Sequence, residues 1–506
     1  MVRRTRVSGR SILPQVGAEP AVGGLFDTRY STLASNTIDY WMLPDDPAMT
    51  EQRVWASIEN APVLEDASLQ IYVHVPFCAQ RCRFCAFSGG NTLDFKQAER
   101  YSRLVVLQIR EMIERSQIKG HPIRSVNVGG GSPDLVGAHI GYILEAMRGL
   151  PGCTDDTEFS VEFTLSTTSR EFIEELVRYN VTKASFGVQS LDRAVRGYMR
   201  QPRGLQHLEQ VLGWIGGRIP AVNADLITGL PGQDLRTVQS DLQRLMDDPR
   251  INCISSYLLT PGAAPSLLAG LAGHDLPPLP SYPEQAMMRL HTYSTFLRNG
   301  WVRRGTNTYV NPQRLDPEIV QRIAGNECIG TSNYEAFLIA AGPQAVSYLP
   351  GARVENSVNI DGWLTAMEAG DHPFHLPKCN DVPQKDTALW VFPLRCESLP
   401  QQRFDRMIAS EAITADQLAT LAAFEREGLV IHNNKGYELS ILGEVFMGHL
   451  VHDLKQAAGQ RAVDDYIVEG HALGRAISAG AVADSNEANN RQIALTLLNE
   501  ESSKDA

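Results

Sequence analysis

The run "YVHVPFCAQRCRFCAF" places Cys78, Cys82 and Cys85 as C-x-x-x-C-x-x-C, with Pro76 ahead of them and aromatic residues between. Zinc normally takes a fourth Cys or His, and this stretch offers only His74, two residues before the proline. A redox C-x-x-C pair would leave one cysteine idle. An iron–sulfur cluster held by three thiolates leaves one iron open to a small chelating molecule, so the missing fourth cysteine is itself informative. The other five cysteines (Cys153, Cys253, Cys328, Cys379, Cys396) are scattered singly. In a chain this large that argues against a disulfide framework and for a reducing, cytoplasmic setting.

The elements that must position these thiols follow a repeating plan of a short apolar run and then a segment of helical periodicity. Strands are predicted at 69–75, 125–130, 158–163, 183–188, 221–227 and 251–259, with helices at 92–117, 137–148, 169–179, 205–215 and 235–247. Strands alternating with helices pair in parallel through right-handed crossovers, and six units make an open barrel rather than a closed one of eight. The predicted class is α/β, a partial (β/α)6 barrel with its site at the C-terminal ends of the strands. Glu162, Gln189 and Asp225 stand at such strand ends, where apolar residues are otherwise expected. A carboxylate there can bind an amino group, a sulfonium or ribose hydroxyls; the alternative is a hydrogen-bonded core acid.

The remainder is divided as an N-terminal extension (1–68), the barrel (69–262), a region completing the barrel and facing substrate (263–400), a C-terminal winged-helix-like unit (401–480) and a tail (481–506). Within 263–400 only a helix at 282–299 is predicted. In the C-terminal unit a helix, two strands turning over Asn433–Gly436 and a further helix are expected. The start carries Arg3, Arg4, Arg6 and Arg10 without an acid, read as a basic tail in preference to a targeting segment. With 46 basic against 58 acidic residues the chain is not suited to nucleic acid. The most apolar loop, "YLLTPGAAPSLLAGLAGHDLPPLP", is broken by five prolines and spans no membrane.

The cysteine spacing after the first strand, with "YVHVPFC", "GGGSP", "VEF", "SFGVQS" and "ADLITGLPGQ" in order, resembles the HemN-like group of the radical S-adenosylmethionine (SAM) superfamily. That group contains oxygen-independent coproporphyrinogen dehydrogenase, a related heme chaperone and the class C radical SAM methyltransferases. The resemblance covers roughly 69–260. It implies a [4Fe–4S] cluster on Cys78, Cys82 and Cys85 whose open iron holds SAM, and, once reduced, cleaves it to methionine and a 5′-deoxyadenosyl radical. A small-molecule substrate and a reducing partner such as flavodoxin or ferredoxin are implied with it. By the same resemblance Tyr72, Gly129 and Glu162 contact a first SAM, and Phe84, Gln189, Asp225 and Arg200 a second. Ile227 adds apolar lining. Gly129, Gly130 and Gly131 let the backbone approach the SAM amino group, and Ser132 begins the rigid step into Pro133.

Three branches are weighed. Coproporphyrinogen dehydrogenases carry a cysteine two places after the third, where this chain has Phe87, and their tyrosine-rich opening is only echoed by "TRYSTLASN". Propionate side chains would need cations, and Arg303–Arg304 is the adjacent pair in the substrate region. The chaperone branch has a His-Asn pair leading to Tyr-Trp; "RRGTNTYV" keeps Asn307 and Tyr309 without the histidine and tryptophan. A heme carrier also needs an axial ligand, for which His291, His372, His375 and His432 are candidates. The class C methyltransferase branch remains favoured: two SAM molecules, and methyl transfer or cyclopropane closure at an sp² carbon of an aromatic, heteroaromatic or tetrapyrrole substrate.

Overall fold

The computed structural model describes residues 50–60, 68–85, 94–201, 203–261, 264–323, 336–349, 352–374, 390–391, 393–394 and 398–455. Expectations for the arginine-rich start, "TRYSTLASN", Phe87, His375, Cys328, Cys379, Cys396 and the tail lie outside the described residues.

The six predicted strands are present as β1 (Ser68–Val75), β2 (Ile123–Gly130), β3 (Glu158–Phe163), β4 (Lys183–Gln189), β5 (Ala221–Thr228) and β6 (Cys253–Leu258). They lie side by side in chain order, each parallel to the next. Their side chains alternate in a revealing way. Ile71 and Val73, Val126 and Val128, Phe159 and Val161, Ala184 and Phe186 are all buried in one apolar core with Leu104, Val105 and Ile109 of the helix Phe95–Arg115. The residues between them, on the other face, are Gln70, Tyr72 and His74; Ser125 and Asn127; Glu158, Ser160 and Glu162; Lys183 and Ser185; Asn223 and Asp225; and Ser255. The hydrophobic effect therefore fastens the sheet to its outer helices and leaves the concave side polar.

The sheet is larger than six strands. Its order is β11-β10-β9-β1-β2-β3-β4-β5-β6-β8-β7, with β7 (Val302–Arg303), β8 (Thr308–Val310), β9 (Ala336–Ala341), β10 (Val346–Leu349) and β11 (Ala352–Glu355) all drawn from the region left without strands in the sequence reading. β9 runs parallel to β1, Tyr72 opposite Ala340, while β8 pairs antiparallel with β6. These strands are short and several are antiparallel, so they lack the strand–helix alternation that exposed the first six. The proline-rich loop expected after β6 is also corrected in part. It contains the helix Pro265–Ala272, with its proline in the first turn, where a missing N–H costs nothing.

Beyond the barrel come helices Gln401–Ala409 and Ala415–Arg426 and a hairpin of β13 (Val430–Asn433) and β14 (Gly436–Leu439), with β12 (Leu399–Pro400) paired to β14. Helices Ile441–Val445 and Met447–Leu454 follow and close on the barrel. Arg289, buried in the helix Tyr282–Arg298, donates to the Glu444 and Val445 carbonyls. The Glu444 carboxylate accepts from Tyr309 of β8 at 2.6 Å and pairs with Arg303 of β7 at 3.1 Å.

Candidate functional site

The cysteine loop leaves the C-terminal end of β1 directly and is pinned from two sides. On one, the Gly131 N–H donates to the Val75 carbonyl and the Ser132 N–H to that of Phe77, both at 2.7 Å. On the other, Arg83 donates its N–H to the Met199 carbonyl (3.3 Å) and Nη1 to that of Tyr198 (3.5 Å). Cys78, Cys82 and Cys85 lie half-buried between these supports. Ser132 Oγ lies 3.9 Å from Cys78 Sγ, and Gln201 Nε2 donates to Cys82 Sγ at 3.0 Å. Burial pushes both thiols up, that of Cys82 to about 11, with the Ser132 and Gln201 hydrogen bonds opposing it. A soft metal that binds such a thiol displaces its proton to solvent. The glycine run is a cradle shaped to the loop: a Cβ on Gly131 would stand 2.9 Å from Cys78 Sγ, and one on Gly129 2.6 Å from the Glu162 carboxyl. Gly130 has φ +105°, which any side chain would strain.

Among the described residues no three His, Cys, Asp or Glu side chains are arranged around a single ion. The fit to a cluster rests instead on the donor chemistry, three thiols on one pinned loop beside a glycine cradle.

The polar concave side carries Glu162 and Asp225 toward the C-terminal ends of β3 and β5, on the side of the loop, and Glu158 and Lys183 at the N-terminal ends of β3 and β4. Glu162 accepts from Asn127 Nδ2 at 3.3 Å. Burial raises its pKa above the ordinary carboxylate range, opposed by Asn127, the Gly130 N–H and the Lys183 charge. Asp225 accepts from Asn223 Nδ2 (2.7 Å) and Ser185 Oγ (3.2 Å). Burial first, and then the Glu162 charge, push it up to about 7 against the pull of Lys183, Asn223 and Ser185. The two carboxylates stand on the same polar face of the sheet, on β3 and β5 with β4 between them. Lys183 is fully buried at the start of β4.

The remaining expected residues divide. Tyr72 donates or accepts with His74 Nδ1 at 2.9 Å and packs against Leu338, Ala340 and Tyr348. Burial holds His74 down at about 4 despite its Gln344 hydrogen bond. Phe84 and Ile227 meet in a separate apolar cluster with Tyr257, Leu230 and Leu259, so the wall linking the cysteine loop to the end of β5 is apolar. Gln189 sits at a β-bulge with φ +64°, and its Oε1 is buried without a hydrogen-bond partner among the described residues. Arg200 differs: it is exposed, at φ +58°, and the neighbour that reaches the cysteines is Gln201. Arg196, one helical turn earlier, is buried and donates to the Val188, Ser190 and Arg203 carbonyls. Sequence reasoning passed over Gln201, Lys183, Asn127, Ser185 and Asn223. The last four were legible as the polar half of each strand's alternation; Gln201 carried no such signal.

Residues 72–245 match the family described as the Radical SAM superfamily. Among curated relatives, an oxygen-independent coproporphyrinogen III oxidase of Paracoccus denitrificans is 28% identical over 44% of this chain and 49% of its own length. An anaerobilin synthase of Escherichia coli O157:H7 is 26% identical over 41% of this chain and 52% of its own. The chain thus spans about half the length of these two relatives. The solved coproporphyrinogen III oxidase HemN of Escherichia coli superimposes with a TM-score of 0.67 over 82% of this chain and 97% of that one, at 18% identity, which establishes the shared fold. The curated relatives and the solved structure that this chain resembles fall together in the HemN-like group. The radical SAM family that residues 72–245 match implies a [4Fe–4S] cluster and SAM.

Proposed function

We propose that this protein is a radical SAM enzyme that uses two SAM molecules to transfer a methyl group, or close a cyclopropane, at an sp² carbon of an aromatic, heteroaromatic or tetrapyrrole substrate. The observation that carries the reading is the pair of carboxylates on the polar face of the sheet, Glu162 toward the C-terminal end of β3, held by Asn127, and Asp225 of β5, held by Asn223 and Ser185. SAM brings a sulfonium and an ammonium. Carboxylates at the strand ends favour such a ligand electrostatically, and two separate ones offer an anchor to each of two.

When bound on Cys78, Cys82 and Cys85, the cluster supplies the electron that cleaves SAM. The chain's own residues do the rest. Glu162, backed by the Asn127 amide and the glycine cradle, holds the first SAM. Asp225, held by Asn223 and Ser185, and Gln189 with its buried Oε1 hold the second. Phe84, Ile227 and Tyr257 exclude water from the wall between.

Porphyrinogen decarboxylation is the second reading, supported by the names of relatives. Against it, the two arginines expected to grip propionates are engaged elsewhere: Arg303 pairs with Glu444, and Arg304 donates to the Val320 and Gln321 carbonyls. The described histidines among the axial-ligand candidates are likewise engaged. His372 packs between Trp55 and Phe374 with Glu111 at 3.3 Å, His432 stacks on Tyr437, and His291 meets Thr295.

Product stoichiometry tests the proposal. Methyl transfer releases 5′-deoxyadenosine and S-adenosylhomocysteine together, and Asp225→Ala should lose product while still forming some uncoupled 5′-deoxyadenosine. Substrate-dependent 5′-deoxyadenosine with carbon dioxide and no S-adenosylhomocysteine would establish the rival.

A further inference from the structure

Gln201 is the side chain that touches a thiol of the cysteine triad through a strong donor. Its Nε2 lies 3.0 Å from Cys82 Sγ, closer than Ser132 Oγ stands to Cys78 at 3.9 Å. The backbone around it is fixed for that purpose. The Gln201 N–H donates to the Arg196 carbonyl at 2.7 Å, and Arg196 is itself buried and bound to three carbonyls. Arg200 takes a left-handed φ of +58°, turning the chain so that residue 200 faces solvent and residue 201 faces the loop. The same segment holds the loop through Met199 and Tyr198, the carbonyl partners of Arg83. The other end of the amide, Oε1, is buried without a hydrogen-bond partner among the described residues.

A thiolate accepts hydrogen bonds and cannot donate them, so only an N–H end suits Cys82 once it is a metal ligand. Hydrogen bonds to a ligand sulfur withdraw charge from it and stabilise the more negative, reduced state of the metal centre. We propose that Gln201 is a positioning residue that orients Cys82 and raises the reduction potential of the cluster it ligates, with Oε1 left to accept from a donor on the bound ligand. The electron balance is simple: the centre gains one electron, 2+ to 1+, from an external low-potential donor, and no bond changes. The inference rests on the radical SAM reading of the triad and is independent of which group is transferred.

The test is a potentiometric titration of the anaerobically reconstituted full chain with dithionite, followed by electron paramagnetic resonance, in wild type, Gln201→Leu and Gln201→Lys. Gln201→Leu should keep its iron and become about tenfold harder to reduce, a midpoint about 59 mV lower. Gln201→Lys, which restores an N–H donor, should recover most of the shift. In wild type, an exchangeable-proton hyperfine coupling should be present and should vanish in Gln201→Leu. Unchanged midpoints across all three proteins with full iron, or a coupling that survives in Gln201→Leu, would overturn the inference. If Gln201→Leu fails to load, the wild-type coupling with and without deuterium exchange decides: its absence overturns the inference. A wild type that takes up no cluster would instead sink the reading of the triad itself.

Discussion

The barrel cavity and the seam between barrel and C-terminal helices both bury carboxylates, and they treat them in opposite ways. At the seam, Glu444 meets its cation within the chain: Arg303 lies 3.1 Å away, Tyr309 donates at 2.6 Å, and both charged side chains are only 11% and 13% exposed. In the cavity, Glu162 and Asp225 are held by amides and hydroxyls, share one buried lysine and are both raised in pKa. The first arrangement is complete without a ligand. The second pairs its carboxylates with neutral donors, the arrangement that the proposed cationic ligand would complete.

The most drastic way to break the cavity's chemistry is Cys82→Ala. All reconstituted iron and its brown absorbance should be lost, while the circular dichroism of the barrel stays, because the outer apolar core does not use the loop. Full iron retention would refute the assignment.

The next largest effect separates the two regions by stability. Removing one partner of a buried ion pair costs about 3 kcal/mol or more, so Glu444→Ala should lower the melting temperature by several degrees. Asp225→Asn should leave stability equal or higher, because it removes a carboxylate that burial disfavours. Equal losses in both variants would erase the distinction.

A pH profile sharpens it further. Asp225 rises from an ordinary 3.8 to about 7 in the fold. The folded chain therefore holds a proton that the unfolded chain releases, so this contribution to stability is full below about pH 4 and is lost as pH rises to about 7. Denaturant midpoints of the ligand-free protein should fall across that window, and Asp225→Asn should flatten the fall. A cationic ligand beside Asp225 expels the same proton, so SAM should bind more tightly as pH rises through 7 in wild type and not in the variant.

The smallest effect is at Arg200. Exposed and left-handed, its side chain should be replaceable by alanine with a stability change within about 0.5 kcal/mol. A large loss of SAM affinity in Arg200→Ala would show that the side chain swings inward when ligand binds.

Legibility in the sequence followed physical regularity. β1 to β6 and their helices were readable because each unit repeats the same burial problem; helix Leu205–Ile215 matches its expected range, 205–215, end to end. The three cysteines, Glu162 and Asp225 were readable because thiols and acids are conspicuous at the ends of apolar strands. β7 to β11 were not, since two- to six-residue strands on sheet edges carry no period of their own and owe their conformation to the strand they join. Gln201 escaped for a related reason. Its role depends on the backbone turn at Arg200, and a positive φ at an arginine leaves no mark in residue type.

One feature of the sheet also sets the order of events during synthesis. β1 ends at Val75, and the strand that covers its outer edge begins at Ala336. At about 5–20 residues per second, the ribosome needs roughly 13 to 50 s to make the chain between them. For that interval a newly made β1 has one edge unpaired and is held in the sheet by β2 alone.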